Sequence, residues 1–107
     1  MRGTPVGPMG AIALALVAGH CEAQEIGQPG RGLVLAQRLC AQCHAVEKQQ
    51  PQSPNEDAPR FPVIASIPGM TSIALSATLN TSHRSMPNIM LAADERADIV
   101  AYILSLK

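Results

Sequence analysis

Aromatic side chains are nearly absent from this sequence, which has no tryptophan, one phenylalanine and one tyrosine among its 107 residues. A chain of this size buries a small hydrophobic core and usually needs disulfides, a metal or a cofactor to complete it. The shortage of aromatic bulk therefore favours a core that is completed by a bound apolar group.

An excess of charge of one sign is also missing. Eight lysines and arginines balance eight aspartates and glutamates, so the formal net charge is zero. Proteins that bind nucleic acid usually carry a clustered excess of basic residues. The composition therefore argues against a nucleic-acid partner.

A long apolar run that could cross a membrane is likewise absent. Residues 9–19 are uncharged, but they are too few to span a bilayer and have the length of a secretory signal core. Cys21 and Ala23 are small residues at the −3 and −1 positions of a cleavage site. The sequence predicts a signal peptide at residues 1–23 that is removed, and one exported, periplasmic domain at residues 24–107 without a stable membrane span. A retained anchor helix and a lipoprotein at Cys21 are the alternatives.

Removal of this leader would leave two cysteines, Cys40 and Cys43, and His44 follows the second directly. Two thiols at this spacing can add to the two vinyl groups of one porphyrin, and the adjacent imidazole then reaches the iron. A zinc site needs further ligands at compatible spacing, and a redox dithiol belongs on a βαβ framework that the sequence does not show. The motif predicts one haem c attached through Cys40 and Cys43, with His44 as an iron ligand.

A second iron ligand is expected in the loop before the last predicted helix. Pro87 biases Met86 away from helical geometry, which suits a side chain that projects from a loop. A thioether is a soft ligand, and a His/Met pair raises the reduction potential. The sequence favours Met86 over three other candidates, which are His83, Met90 and Met70.

Helical periodicity accounts for most of the remaining sequence. Small and apolar residues recur at helical spacing over residues 31–43, which predicts a first helix with the attachment site on its last turn. Residues 45–60 hold three prolines and read as a loop. Residues 61–67 fit a short helical turn or an extended segment.

Two further helices are predicted toward the C-terminus. Thr71 or Ser72 can cap a helix that runs to about residue 81. Its candidates for burial are Ile73, Leu75, Ala77 and Leu79. The last helix has acidic residues in its N-terminal turns, including Asp98, and an apolar stripe formed by Ile99, Val100, Ile103 and Leu104. These elements predict one small all-α domain.

The sequence resembles the small class I bacterial c-type cytochromes, monohaem proteins with a fold like that of mitochondrial cytochrome c. The residues that carry the resemblance are Gly32, Ala36, the Cys40–His44 motif, Met86-Pro87 and Ala101-Tyr102-Ile103. It implies a small cytochrome c fold of three to four helices packed around one covalently attached haem. It also implies that Gly32 crosses closely against the face of the last helix that bears Ile99 and Tyr102.

The same resemblance implies further contacts with the cofactor. A proline after the attachment site accepts the hydrogen bond of the histidine Nδ1–H, which fixes the ring and strengthens the ligand. Pro59 is preferred for this role over Pro54. Donors to the haem propionates are sought among Arg60, Arg84 and Asn88.

The function implied is that of a soluble single-haem electron carrier rather than an enzyme. Two axial ligands leave no open coordination site for a substrate. Membrane or periplasmic redox proteins (a dehydrogenase, oxidase or reductase) are the expected partners, docking transiently at the haem edge of a monomer. The alternatives are a five-coordinate haem that senses a gas, and a small haem subunit of a dehydrogenase or oxidase complex.

Overall fold

The computed structural model describes residues 1–8, 10, 27–81, 83 and 85–107. These residues form four helices: α1 (Pro29–Leu39), α2 (Phe61–Ala65), α3 (Ser72–Leu79) and α4 (Ala93–Leu104). No strand occurs among them, and the prediction of a small all-α fold is confirmed. None of the helices in the described ranges is long and apolar enough to cross a membrane. The predicted cleavage site after Ala23 lies outside the described residues.

The crossing of α1 and α4 forms the centre of the fold, and Gly32 makes it possible. A Cβ atom on Gly32 would lie 2.0 Å from the Asp98 carbonyl oxygen and 2.7 Å from the Tyr102 Cβ. Gly27, just before α1, meets the Ala97 carbonyl oxygen in the same way, at 1.9 Å. The predicted contact between Gly32 and the Tyr102 face is therefore observed, and it brings the two backbones together without intervening side chains.

The buried carboxylate of Asp98 fixes the beginning of α1 to the middle of α4. Asp98 is 4% exposed. Its carboxylate accepts the Gln28 backbone N–H at 2.7 Å and pairs with Arg31 Nε at 2.9 Å. The hydrogen bond from Gln28 and the neighbouring guanidinium hold the pKa of Asp98 below its ordinary value of 3.8, against the opposing effect of burial. Asp94 and Glu95 occupy the first turn of α4, whereas Asp98 lies in the second turn and its carboxylate is buried where α4 meets the start of α1.

The first helix ends earlier than the sequence predicts. Cys40 is its C-cap, and the backbone N–H groups of Cys40 and Ala41 both donate to the Ala36 carbonyl. The N–H groups of Cys43 and His44 then both donate to the Cys40 carbonyl, at 3.1 and 2.9 Å. The attachment motif consequently forms a tight turn after α1 rather than the last turn of the helix.

The third helix buries less than its apolar content suggests. Thr71 caps it through Oγ1, which accepts the Ala74 N–H at 3.1 Å. Leu75 is buried, but Ile73 is 81% exposed and Ala77 is also exposed, so their predicted burial was wrong. Residues two positions from Leu75 lie about 200° away around a helix, so a helix that packs on one side cannot bury them.

The last helix follows its predicted stripe. Ile99, Val100 and Ile103 are buried, and Leu104 is half-buried against them. Arg96 Nη1 donates to Asn80 Oδ1 at 2.8 Å, which joins the start of α4 to the C-cap of α3. The four helices thus surround one core, and the loops between them carry the predicted site residues.

Candidate haem-binding site

The turn after α1 brings the first three predicted site residues together. Cys40 is buried, whereas Cys43 and His44 are half-buried, and neither cysteine forms a disulfide. Burial raises the pKa of the Cys40 thiol to about 11, so the uncharged thiol is favoured at neutral pH. Both sulfurs are therefore available for a covalent bond to a cofactor.

The histidine ring is oriented by a backbone carbonyl. His44 Nδ1 lies 2.7 Å from the carbonyl oxygen of Pro59. A carbonyl can only accept a hydrogen bond, so Nδ1 carries the proton and Nε2 keeps its lone pair. No bond joins His44 to Pro54 in the described part of the chain. The arrangement leaves Nε2 as the nitrogen that is suited to a metal.

The single phenylalanine and the single tyrosine stand behind this histidine. The ring centroids of His44 and Phe61 are 5.4 Å apart, and those of Phe61 and Tyr102 are 6.4 Å apart, both in tilted arrangements. The Tyr102 hydroxyl donates to the Val46 carbonyl at 2.5 Å. Burial raises the pKa of Tyr102, and the charge of Glu47 adds to the shift. The scarce aromatic residues are thus concentrated on one side of the site.

Side chains of the loop at residues 45–60 hold the backbone next to His44. Gln50 Oε1 accepts the N–H groups of Val46 and Glu47, both at 3.1 Å. Ser53 Oγ accepts the Ala45 N–H at 2.9 Å. Arg60 Nε donates to the Gln50 carbonyl at 2.9 Å. The proline-rich loop is therefore fastened by side chains rather than by secondary structure.

An apolar cleft opens beside Cys40. The ends of α1 and α3 and the middle of α4 contribute to its wall, and the loop before α4 supplies the rest. Met86 lies in this wall together with Cys40. The lining residues are Leu39, Cys40, Leu79, Thr81, Met86, Pro87, Asn88, Ile89, Leu91 and Ile99.

The loop before α4 presents Met86 from a tight turn. The Met86 N–H donates to the His83 carbonyl at 3.2 Å, and Ser85 between them has a φ of 65°. A left-handed conformation is costly for a residue with a side chain. Met86 itself is half-buried. The turn thus holds an unfavourable backbone geometry directly beside the predicted ligand.

The three other candidates for the second ligand lie elsewhere. Met90 is 94% exposed, and His83 is exposed. Met70 packs against the core, and its carbonyl accepts a hydrogen bond from Lys107 Nζ at 3.3 Å. None of these three residues is part of the cleft wall. Met86 is the candidate that the fold brings to the same cleft as Cys40.

The chemistry of these groups fits haem c. Cys40 and Met86 line a cleft whose wall is mostly apolar, and the turn that begins at Cys40 also carries Cys43 and the His44 imidazole with its free Nε2. Thioether and imidazole are iron ligands in c-type cytochromes, and an apolar wall suits a porphyrin. Of the predicted propionate donors, Asn88 lines the cleft, Arg60 bonds to the Gln50 carbonyl, and Arg84 is not among the described residues.

Comparison with known proteins agrees with this chemistry. The model of the family described as "Cytochrome c" matches residues 29–107. The chain belongs to the cytochrome c family. It is also similar to cytochrome c-552 of Bradyrhizobium diazoefficiens, with 35% identity over 98 residues that cover 92% of this chain and 93% of the relative. No solved structure matches the chain significantly.

Membership of the family gives the cofactor and the broad activity. The protein is a class I c-type cytochrome, an electron-transfer haem protein that carries covalently attached haem c. Cys40 and Cys43 have the spacing that this attachment requires. The resemblance to this family that the sequence indicates is thus confirmed.

Sequence reasoning missed two groups that shape the site. One is Gln50. No local sequence pattern identifies it, because the path of the loop determines which backbone groups it bonds to. The other is Asp98, which stands four positions before Tyr102 and therefore on the same face of α4. That spacing was a usable signal for a buried carboxylate at the crossing with α1.

Proposed function

We propose that this cytochrome is an exported single-haem electron carrier that passes one electron at a time between redox partners. Its leader-like residues 1–23 support export to the periplasm and a mature chain of residues 24–107. His44 and Met86 are the residues that would ligate the iron in this proposal. Cys40 and Cys43 bond the porphyrin covalently.

One observation carries the proposal, which is that Met86 lines the same cleft as Cys40, the first residue of the turn that carries His44. Pro59 holds the His44 Nδ1–H at 2.7 Å and so leaves Nε2 for iron. Met86 lines the cleft beside Cys40. With both residues bound to iron, the site would offer no open coordination position to a substrate or a gas, as an electron carrier requires.

The chain's own residues set the properties of the redox centre. When bound, haem c supplies a one-electron Fe(III)/Fe(II) couple. The Pro59 carbonyl fixes the orientation of the His44 ring and strengthens the imidazole as a donor. The thioether of Met86 favours the ferrous state and raises the reduction potential. The apolar cleft wall keeps water from the iron, which acts in the same direction.

Partners are proposed to dock transiently on the face around Cys40 and Cys43. Membrane-bound or periplasmic dehydrogenases, oxidases and reductases are the chemical classes that exchange single electrons there. A zero net charge gives little long-range steering. Association rates are therefore expected to change only modestly with ionic strength.

The absorption spectrum of the exported holoprotein tests the ligand set. The oxidised protein is expected to show a thioether-to-iron charge-transfer band. Met86→Ala should abolish the band, keep the covalent haem and lower the reduction potential. Met90→Ala is the matched control, since Met90 is in the same loop but 94% exposed, and it should retain the band.

Other results would select a different function. A spectrum without the band in the unmodified protein, together with tight binding of carbon monoxide to the ferrous form, would favour a five-coordinate gas sensor. Stable co-purification with a dehydrogenase or oxidase from the periplasm would favour a dedicated subunit. Recovery of the protein in the cytoplasm with residues 1–23 intact would contradict export.

A further inference from the structure

We propose that Gln50 is a positioning residue for His44, because its two carbonyl oxygens tie together the backbone segments on either side of the His44–Pro59 hydrogen bond. This inference rests on the proposed function, since it takes His44 as the iron ligand. Gln50 touches neither His44 nor the cleft, so its action is indirect.

The side chain of Gln50 holds the segment that follows His44. Its Oε1 atom accepts the backbone N–H groups of Val46 and Glu47, both at 3.1 Å. The Val46 side chain is 1% exposed, so this segment lies in the core. One amide oxygen thus satisfies two consecutive donors that have no helix or strand partner.

The backbone carbonyl of Gln50 holds the other segment. It accepts Arg60 Nε–H at 2.9 Å. Arg60 directly follows Pro59, whose carbonyl receives the His44 Nδ1–H at 2.7 Å. Gln50 therefore bonds to Arg60, which is adjacent to Pro59, and to Val46 and Glu47, which follow closely after His44.

A third contact joins the segment after His44 directly to the segment after Pro59. The Phe61 N–H donates to the Ala45 carbonyl at 2.9 Å, and the Phe61 ring lies 5.4 Å from the His44 ring. Ser53 supports the first segment through the Ala45 N–H at 2.9 Å. Loss of the Gln50 side-chain acceptor would release the Val46 and Glu47 N–H groups and let His44 Nδ1 move away from the Pro59 carbonyl.

The expected consequence is chemical as well as structural. A hydrogen bond from Nδ1 to a carbonyl makes the imidazole a stronger donor to a metal, which favours the ferric state. A weaker hydrogen bond between His44 and Pro59 makes the imidazole a weaker iron ligand. Loss of the Gln50 acceptor should therefore raise the reduction potential, whereas a purely structural loss of stability would not shift it.

The test compares Gln50→Met with Gln49→Met in the purified holoprotein. Methionine keeps the size and neutrality of glutamine but removes the acceptor, and Gln49 is an exposed neighbour without a side-chain hydrogen bond. Solvent exchange of the His44 Nδ1 hydrogen is followed by NMR in the reduced protein. In Gln50→Met we expect this hydrogen to exchange about ten-fold faster, because loss of one hydrogen bond changes an equilibrium by about that factor. We also expect a higher reduction potential. Gln49→Met should match the wild type.

A rescue and a second variant complete the design. Gln50→Glu restores an acceptor for both N–H groups, and it should bring the exchange rate back toward the wild-type value. Arg60→Met removes the donor to the Gln50 backbone carbonyl, and it should also accelerate exchange of the His44 Nδ1 hydrogen. This second variant keeps the inference testable where Gln50→Met does not fold.

Three outcomes would overturn the inference. The first is unchanged exchange in both Gln50→Met and Arg60→Met while the His44 ring remains bound to iron. The second is an equal acceleration of the Ile99 amide, which would indicate global opening rather than release of one ring. The third is an unchanged reduction potential in Gln50→Met. A wild-type spectrum without histidine and methionine ligation would instead refute the proposed function itself.

Discussion

Two loops flank the site, but different contacts hold them in place. One is the loop at residues 45–60, which contains Pro59, and the other is the loop at residues 81–92, which carries Met86. In the first loop Ala45 and Val46 are at most 1% exposed, and side chains bond its backbone at several points. In the second loop Met90 is 94% exposed and Ser85 has a left-handed backbone. The difference teaches that His44 is held by the core, whereas Met86 is held by a turn and by the ends of its loop.

A consequence of this difference is an order of detachment. Local opening is easiest where few side chains are buried and the backbone is strained. We expect Met86 to leave the iron at lower denaturant concentration than His44 does.

Phe61→Ala should have the largest effect, because it removes the packing behind His44. Phe61 is 4% exposed and contacts the rings of both His44 and Tyr102. Its removal is expected to lower the free energy of unfolding by about 3–5 kcal/mol. Denaturant titration of the holoprotein measures this, with Val63→Ala in the same helix, at a 49% exposed position, as the control. Equal losses in the two variants would show that Phe61 has no special role.

Gly32→Ala should loosen the crossing of α1 and α4, which supports both the His44 side and the Met86 side of the site. The added Cβ would lie 2.0 Å from the Asp98 carbonyl oxygen, so α1 and α4 must separate. We expect a loss of about 1–3 kcal/mol in the free energy of unfolding. Gly30→Ala is the matched control, because a Cβ there meets nothing within 4 Å. That variant should gain about 0.5–1 kcal/mol from its better helix propensity, and a loss there would contradict the steric explanation.

Asp98→Asn tests the ion pair at the start of α1 through its pH dependence. The folded pKa of Asp98 is below the ordinary value of 3.8, so below that pH the unfolded chain binds more protons than the folded one. Stability from this group is present above pH 3.8 and is lost as the pH falls through the folded pKa. Asp98→Asn should cost about 1–2 kcal/mol at neutral pH, and its free energy of unfolding should fall less steeply in acid.

Asp94→Asn provides the control for that experiment, since Asp94 is exposed in the first turn of α4. It should lose only a few tenths of a kcal/mol from the helix dipole. An acid profile of Asp98→Asn that superimposes on the wild-type profile would refute the assigned role of the carboxylate.

Asn80→Ala should have the smallest effect and should act on the methionine side alone. The side chain of Asn80 accepts Arg96 Nη1 at 2.8 Å, and this bond joins the two helices between which the Met86 loop runs. An exposed hydrogen bond of this kind contributes about 0.5–1.5 kcal/mol, so imidazole should displace Met86 about 2–10 times more readily. Imidazole titration followed by the charge-transfer band measures this. Thr78→Ala, on the same helix, is the control and should leave the affinity unchanged.

Much of the fold was predictable because it depends on local patterns. The stripe of Ile99, Val100 and Ile103 on α4 and the cap at Thr71 are properties of neighbouring residues, and both are observed. Two predictions failed for reasons that these patterns do not contain. Ile73 is exposed because α3 packs on one side only, and α1 ends at Leu39 because the Ala36 carbonyl takes two N–H groups.

The sequence by itself determined the cofactor, since covalent attachment needs two thiols and an imidazole at fixed spacing along the chain, and residues 40–43 and His44 supply them. Only the tertiary structure decided how the histidine is supported and which thioether reaches the cleft. Those choices depend on Pro59, Gln50 and Met86, whose contacts join residues distant along the chain. These contacts depend on the path of loops that have no helical periodicity, so a helical pattern cannot encode them.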